Sequence, residues 1–285
     1  MKLVILLLCL GLERYLGIGK HLKRYQVFDG YLSLFSRFIP QIAALPSKVS
    51  LLFVLLPALL IPGVIYYMTL HAVFGLMGLF LGVFLLLICL GPDDFYHQLK
   101  EYFAADKDKE KQAQLYQEIT GSTLTDDSNV DRRKLTISIL SSSNERFFGV
   151  IFWFIILGPI GAIFYRLLVF LRVKLNLDSS LEFSFKKELD LLCNILNWFP
   201  ARFSALCYLI VGNFQSGIKL YISQLFKGLS SSDTLLEEVS FAALNVGSDK
   251  AADSAENHKA LDMLDHALVV VLVFIAIFTL GAWIY

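Results

Sequence analysis

The sequence lacks an excess of charge of either sign. Its 25 Lys and Arg residues balance 25 Asp and Glu residues, and charged residues make up only 18% of the 285 positions. A chain without net charge has no long-range field that would attract nucleic acid or an acidic substrate. We therefore expect no nucleic-acid partner.

Cysteine is also scarce, and the four thiols lie far apart within apolar stretches, at Cys9, Cys89, Cys193 and Cys207. This spacing excludes a zinc motif and the dense disulfide framework of a small secreted domain. We predict four buried, reduced thiols. The motifs G-x-S-x-G, H-E-x-x-H and C-x-x-C are absent too, so none of these motifs indicates a catalytic site.

Apolar residues, in contrast, are abundant. They make up 56% of the chain, and the mean hydropathy is +0.62, which is too apolar for one soluble domain of this length. No Lys, Arg, Asp or Glu occurs from Val49 to Leu90, a stretch long enough for two bilayer crossings. We predict an all-α, multi-pass integral membrane protein with about four to six membrane-embedded helices, joined by polar helical loop regions and surrounded by a lipid bilayer.

Hydropathy divides the chain into seven predicted segments. They are an N-terminal apolar segment (1–19), a polar connector (20–48), a transmembrane hairpin (49–91), a hydrophilic helical loop (92–146), a transmembrane helix (147–171), a polar region (172–266) with an embedded helix (189–214), and a C-terminal transmembrane helix (267–285). The first segment is short for a span, so both a span and a re-entrant helix stay open. Within the hydrophilic loop, spacing predicts one helix from Phe95 to Gly121.

The embedded helix carries the most informative pattern. Polar residues recur at near-helical spacing, at Asp190, Asn194, Asn197, Ser204 and Tyr208. In a bilayer this polar stripe would face other helices or a water-filled pocket, and on a peripheral helix it would face water. Pro200 is expected to kink the helix, and Arg202 beyond it is either an anion clamp or part of an ion pair with Glu13 or Asp190.

Charged and polar residues at predicted membrane boundaries are further candidates. Glu13 and Arg14 follow the first apolar segment, and Arg146 precedes the third long span, with Asn144 before it as a predicted helix cap. Interfacial anchoring is the alternative to ligand binding for the first pair. His97 follows the hairpin close to Asp93.

One helical face near the C-terminus presents two imidazoles and a carboxylate. His258, Asp262 and His266 are spaced four residues apart in succession, a spacing compatible with a metal. The alternative is the ordinary polar end of a helix that enters the membrane. We regard this as a weak metal candidate.

The chain resembles the AmpE family. The specific stretch runs from Leu196 to Leu206 and reads Leu-Asn-Trp-Phe-Pro-Ala-Arg-Phe-Ser-Ala-Leu, and further likeness occurs at Leu12-Glu13-Arg14, Tyr96-His97, Asn144, Arg146-Phe147-Phe148, Phe152-Trp153, Gly158, Tyr208 and Gly212. The resemblance implies a bacterial inner-membrane protein linked to regulation of a chromosomal β-lactamase. It also implies a partner or a ligand derived from the cell wall.

The AmpE family is in turn similar to the CobD/CbiB membrane proteins, which join an amino-alcohol phosphate to a corrinoid carboxylate with ATP and magnesium. The Pro-Ala-Arg-x-Ser-Ala-Leu segment is the shared part. This chain lacks that family's Gly-Asp-Pro and His-Pro signature and its Glu-Asn-Thr loop, which counts against cobalamin chemistry. The similarity leaves open an ATP- and Mg-dependent amide ligase with Glu13, Asn197 and Arg202 at the matching positions.

Three functional hypotheses follow. The first is a regulator in cell-wall stress or β-lactamase induction signalling, the second is the amide ligase, and the third is a small transporter, which a polar stripe with helix breaks would also suit. An enzyme requires Glu13, Asn197 and Arg202 to converge in one cavity. A regulator requires only that each makes its own packing or capping contact.

Overall fold

The computed structural model describes residues 2–16, 28–33, 46–70, 76–90, 93–105, 108–125, 128–177, 185–245 and 254–284. These residues are overwhelmingly helical, and none of them forms a strand. The predicted all-α fold is therefore confirmed. The chain divides into two compact units, residues 1–91 with 145–197 and residues 92–144 with 198–285.

Helices α1 to α12 follow one another in chain order. Their bounds are α1 Lys2–Leu16, α2 Ser47–Leu70, α3 Leu76–Cys89, α4 Asp93–Ala104, α5 Lys109–Thr120, α6 Ser128–Ser143, α7 Gly149–Leu157, α8 Pro159–Leu177, α9 Lys186–Val211, α10 Phe214–Gln224, α11 Ser232–Leu244 and α12 Ser254–Ile284. A π-helical turn, Asn144–Phe148, joins α6 to α7, and a 3₁₀ turn, Leu229–Ser231, precedes α11.

Within the described ranges, three helical stretches are long and apolar enough to cross a membrane: Ser47–Thr69, Arg133–Leu157 and His258–Ile277. Two shorter apolar helices, Lys2–Leu12 and Leu76–Cys89, accompany them. A 14-residue helix such as α3 rises only about 21 Å, less than the hydrocarbon core of a bilayer. The chain is thus a helical membrane protein with five apolar helices in these ranges.

Apolar side chains cover the outside of α2, although the helix belongs to a packed unit. They include Val49, Leu52, Phe53, Leu56, Leu60, Ile61, Val64, Ile65, Tyr67 and Met68, each more than a third exposed. Such a surface suits lipid, because the exposure of a large apolar area to water is unfavourable. Pro57 and Pro62 lie inside this helix, which neighbouring groups in membrane helices tolerate.

The third long span differs from its sequence prediction of 147–171. Helix α7 ends at Leu157, because Gly158 adopts φ 75° and Pro159 starts α8. The apolar stretch instead begins at Arg133, inside the region predicted to be a hydrophilic loop. The α6 residues Leu135, Ile139 and Leu140 are buried, and hydroxyl residues between them masked this apolar side in the sequence.

The first unit is built on α8, which packs against α2, α3 and α7. Helix α1 packs against α3 and α7. A Cβ added at Gly82 would lie 2.8 Å from the Ile5 side chain, so a small residue permits the close approach of α1 and α3. Arg166 of α8 is buried.

The second unit combines α4, α5 and α6 with α10, α11 and α12. Helix α6 contacts α5, α11 and α12, and α10 packs along α11. In the polar part of this unit, Asp131 accepts three hydrogen bonds. They come from the Thr125 backbone N–H (2.8 Å), the Thr125 hydroxyl (3.0 Å) and the Tyr116 hydroxyl (3.2 Å). Burial and the Asp131 charge raise the pKa of Tyr116 to about 12.

The predicted helix from Phe95 to Gly121 is divided into α4 and α5. Asp108 caps α5, because its carboxylate accepts the Lys111 N–H at 3.2 Å. Gly121 ends α5 in the left-handed region, with φ 70°, where glycine carries no steric cost. The apolar periodicity of the sequence continues from α4 into α5. Periodicity alone therefore predicted one helix, whereas the Asp108 cap begins a second one.

All four cysteines are buried thiols, and none of them forms a disulfide. This confirms the prediction made from their positions in apolar stretches. They are packing residues in the described structure.

Candidate functional site

The polar stripe lies on α9, and its members differ in exposure. Asn197, Ser204 and Tyr208 are buried, whereas Asp190 and Asn194 are half-buried. Asn197 belongs to the first unit, and Ser204 and Tyr208 belong to the second. The interpretation of a peripheral helix with its polar side in water is wrong for these three residues, because protein surrounds them.

In the first unit, the stripe residue Asn197 is held by a tyrosine. The Tyr165 hydroxyl donates to the Asn197 Oδ1 at 3.1 Å. The Tyr165 ring lies directly against Gly149, where no Cβ would fit. One turn of α9 is also tied to α7, since the Trp153 indole N–H donates to the Leu196 carbonyl at 3.0 Å.

A half-buried ion pair accompanies this hydrogen bond. The Arg172 guanidinium donates to the Glu145 carboxylate, and each side chain is about 20% exposed. Sequence reasoning missed Tyr165 and Arg172, because a tyrosine in an apolar run and an arginine after it resemble ordinary interfacial residues.

Asn144 and Arg146 belong to the π-helical turn. The prediction that Asn144 caps a helix is wrong, because α6 continues into the turn without a break and leaves no helix N-terminus there. Asn144 is instead buried. The Arg146 side chain is half-buried. π-helical turns often occur at functional sites.

In the second unit, α9 and α6 are joined through Asn144. The Ser204 hydroxyl lies 2.9 Å from the Asn144 Oδ1 and 3.1 Å from the Ala201 carbonyl oxygen. The Tyr208 hydroxyl donates to the Leu140 carbonyl at 3.2 Å. Polar groups in an apolar interior stabilise the fold only when they are paired in this way.

We expect the Ser204→Ala change to lower the free energy of unfolding by about 1–2 kcal/mol, because it removes a buried donor to Asn144. The exposed Ser223 provides a matched control, and we expect Ser223→Ala to change it by less than about 0.5 kcal/mol. Unfolding of the purified protein in detergent measures both. Equal effects of the two changes would contradict the role assigned to Ser204.

Arg202 is buried and makes five hydrogen bonds within the second unit. Its Nε donates to the Leu225 carbonyl at 2.7 Å, Nη1 to the Trp198 carbonyl at 3.0 Å, and Nη2 to the Lys227 carbonyl at 3.0 Å. The Ser231 and Ser232 hydroxyls lie at 3.3 and 3.5 Å. The guanidinium carbon also lies 3.8 Å from the centre of the Trp198 ring.

These contacts match the five N–H groups of a guanidinium. Within the described ranges every hydrogen-bond partner of Arg202 is a carbonyl or hydroxyl oxygen, so the guanidinium serves to hold the turn from Leu225 to Ser232. An ion pair of Arg202 with Glu13 or Asp190 stays a prediction. Nothing in the local sequence of α9 indicated that this turn returns to Arg202.

Three candidates have side chains that lie outside the described part of the structure. Glu13 and Arg14 lie in α1 and His97 lies in α4, but their side chains are not among those the structure describes. The convergence of Glu13 with Asn197 and Arg202 therefore stays a prediction.

The weak metal candidates are engaged elsewhere. The His258 ring lies 4.3 Å from the Phe103 ring, and the His266 Nδ1 lies 2.6 Å from the Asp262 carbonyl oxygen of its own helix. Among the residues the structure describes, no group of three His, Cys, Asp or Glu side chains is arranged to hold a metal ion. The sequence spacing thus corresponds to ring packing and a bond within the helix.

Comparison with known proteins identifies the family. Cobalamin biosynthesis protein CobD of Chromobacterium violaceum is 30% identical over 99 residues, which cover 35% of this chain and 31% of that protein. The match thus spans about a third of the relative's length. No solved structure matches the chain. A family model described as "Regulatory signalling modulator protein AmpE" matches residues 1–284, and the chain therefore belongs to the AmpE family.

Proposed function

We propose that this protein is a non-catalytic, multi-pass regulator of the bacterial inner membrane that acts in cell-wall stress and β-lactamase induction signalling. The family supplies the coarse role of a membrane regulatory signalling modulator. One observation carries the preference for a non-catalytic protein. The guanidinium of Arg202, the cation of the shared motif, already donates its hydrogen bonds to carbonyl and hydroxyl oxygens of its own unit.

A guanidinium bound in this way is a poor phosphate clamp. Binding of a phosphate there would require the carbonyls of Leu225 and Lys227 to lose charge-assisted hydrogen bonds, each worth about 1.5–3 kcal/mol. Asn197 also has an internal partner in Tyr165. Separate internal contacts at the two positions favour a protein that works by packing and interaction.

A regulator of this kind needs a signal and a receiver. The proposed signal is a ligand derived from the cell wall or a membrane partner, and the proposed receiver is another protein of the induction response. The apolar spans in α2 and α12 support a position in the bilayer, where such signals would pass.

The test is removal of the chromosomal gene in its host. We expect the deletion to change the β-lactamase promoter response to a β-lactam inducer, and we expect wild-type protein supplied on a plasmid to restore it. A reporter driven by an unrelated promoter serves as the control. An unchanged induction curve in the deletion strain would overturn the proposal.

The ligase is the second candidate, favoured by the partial match to CobD. Its site would include the Glu145–Arg172 pair and Asn197. A ligand that binds only the folded state raises the melting temperature, so Mg-ATP would stabilise a ligase in detergent. Mg²⁺ alone is the control. We expect no shift, and a shift with Mg-ATP that is absent from an Arg172→Gln variant would favour the ligase instead.

A further inference from the structure

The segment from Asn213 to Ser231 has an unusual surface. It contains two lysines, Lys219 and Lys227, and no Asp or Glu. Large apolar side chains are exposed along it, namely Phe214 (46%), Leu220 (39%), Ile222 (61%), Phe226 (86%) and Leu229 (41%). We call this the basic apolar segment.

One side of α10 is buried, and the opposite side is exposed. Gly217 and Gln224 are buried against the second unit, and their spacing of seven places them on one helical face. Lys219 and Ile222, three residues apart, lie on the opposite face. The outer side of α10 therefore presents the cation Lys219 beside the exposed apolar side chain of Ile222, among the polar residues Gln215, Ser216 and Ser223.

Hydrogen bonds fix the backbone on both sides of Phe226, whose side chain is exposed. The residues on either side of it, Leu225 and Lys227, are bound through their carbonyls by Arg202 at 2.7 and 3.0 Å. The Trp198 indole N–H also donates to the Lys227 carbonyl at 3.3 Å. The most exposed of the large apolar side chains in the described ranges thus projects from a backbone fixed on both sides.

We propose that the basic apolar segment inserts into the headgroup region of an anionic membrane. Ile222 and Phe226 enter the boundary with the acyl chains, and Lys219 and Lys227 contact lipid phosphates. Apolar and aromatic groups with flanking lysines are typical of interfacial helices. Basic segments near a membrane are attracted by anionic lipid, and the chain already spans a bilayer, so this surface is available to it.

A second copy of the chain fits this surface less well. A symmetric dimer brings the same patch of both copies together. With two lysines and no carboxylate in the segment, like charges would meet across such an interface and oppose association. Charge complementarity therefore favours lipid.

The experiment places an environment-sensitive fluorophore at Phe226→Cys in the full chain. The four native thiols are buried, so labelling is directed to the new one. The protein is reconstituted in nanodiscs of phosphatidylcholine alone or of an equimolar mixture with phosphatidylglycerol. Quenching by brominated lipid reports contact with lipid, and quenching by iodide reports contact with water. Lys109→Cys, exposed on the polar helix α5, is the control position.

We expect the label at 226 to be quenched by brominated lipid and protected from iodide, and the label at 109 to show the reverse. Brominated phosphatidylglycerol should quench in preference to brominated phosphatidylcholine, and this preference should weaken roughly five-fold for each of Lys219→Gln and Lys227→Gln. If the Phe226→Cys variant does not fold, Ile222→Cys takes its place.

Two outcomes would overturn the proposal. In the first, iodide quenches the label at 226 as strongly as the label at 109 in both lipid mixtures. In the second, protection is lost when the protein is diluted with excess lipid, which would assign the surface to a second copy.

Discussion

Replacement of Arg202 by alanine lowers the free energy of unfolding by about 4 kcal/mol in our expectation. The change removes charge-assisted hydrogen bonds to the Leu225 and Lys227 carbonyls, each worth about 1.5–3 kcal/mol. It also removes the stacking of the guanidinium on the Trp198 ring. Unfolding of the purified protein in detergent, followed by far-ultraviolet circular dichroism, measures the loss.

Two further variants make this result specific. Arg202→Lys keeps the charge but lacks the planar fork that reaches several carbonyls, so we expect it to recover less than half of the loss. Lys219→Ala removes an exposed cation of α10 and should change stability by less than about 0.5 kcal/mol. Full recovery by lysine would show that charge alone matters, and that the fixed turn is not built by the guanidinium fork.

The second large effect concerns Gly149. An added Cβ there would overlap the ring and the hydroxyl of Tyr165, a fully packed side chain that is 1% exposed. We expect Gly149→Ala to cost about 3 kcal/mol, the upper end for overpacking in a core. The change should also disturb the hydrogen bond from Tyr165 to Asn197. The same unfolding measurement applies.

A double-mutant cycle tests the cause. In a Tyr165→Leu background the ring is gone, so the additional cost of Gly149→Ala should fall below about 1 kcal/mol. Gly11 is the matched control, because open space surrounds its position in α1. There we expect alanine to stabilise the protein by about 0.5–1 kcal/mol through helix propensity. Equal costs of Gly149→Ala in both backgrounds would locate the strain elsewhere.

The sequence was sufficient for the class of fold. A stretch such as Val49 to Leu90, without a single Lys, Arg, Asp or Glu, can be stable only as helix in lipid, because a bilayer offers no partner to unpaired backbone groups.

The candidate site was only half accessible from the sequence. The periodicity of α9 identified Asn197, Ser204 and Tyr208, because helical spacing is a local property. The other contacts of the site join residues that are far apart in the sequence. Glu145 and Arg172 are 27 positions apart, and Arg202 reaches carbonyls 23 and 25 residues away. Backbone carbonyls also carry no residue-specific signal, so their use by Arg202 could not be read in advance.

The π-helical turn Asn144–Phe148 sets the phase of the helical run that contains it. A turn with i to i+5 hydrogen bonds holds about one residue more than an α-helical path of equal length. Side chains after it are thus rotated by about 100° from the directions that an unbroken α-helix would give them. Gly149 and Trp153 follow the turn and face Tyr165 and Leu196. Shortening the turn by one residue would redirect the inner side of α7.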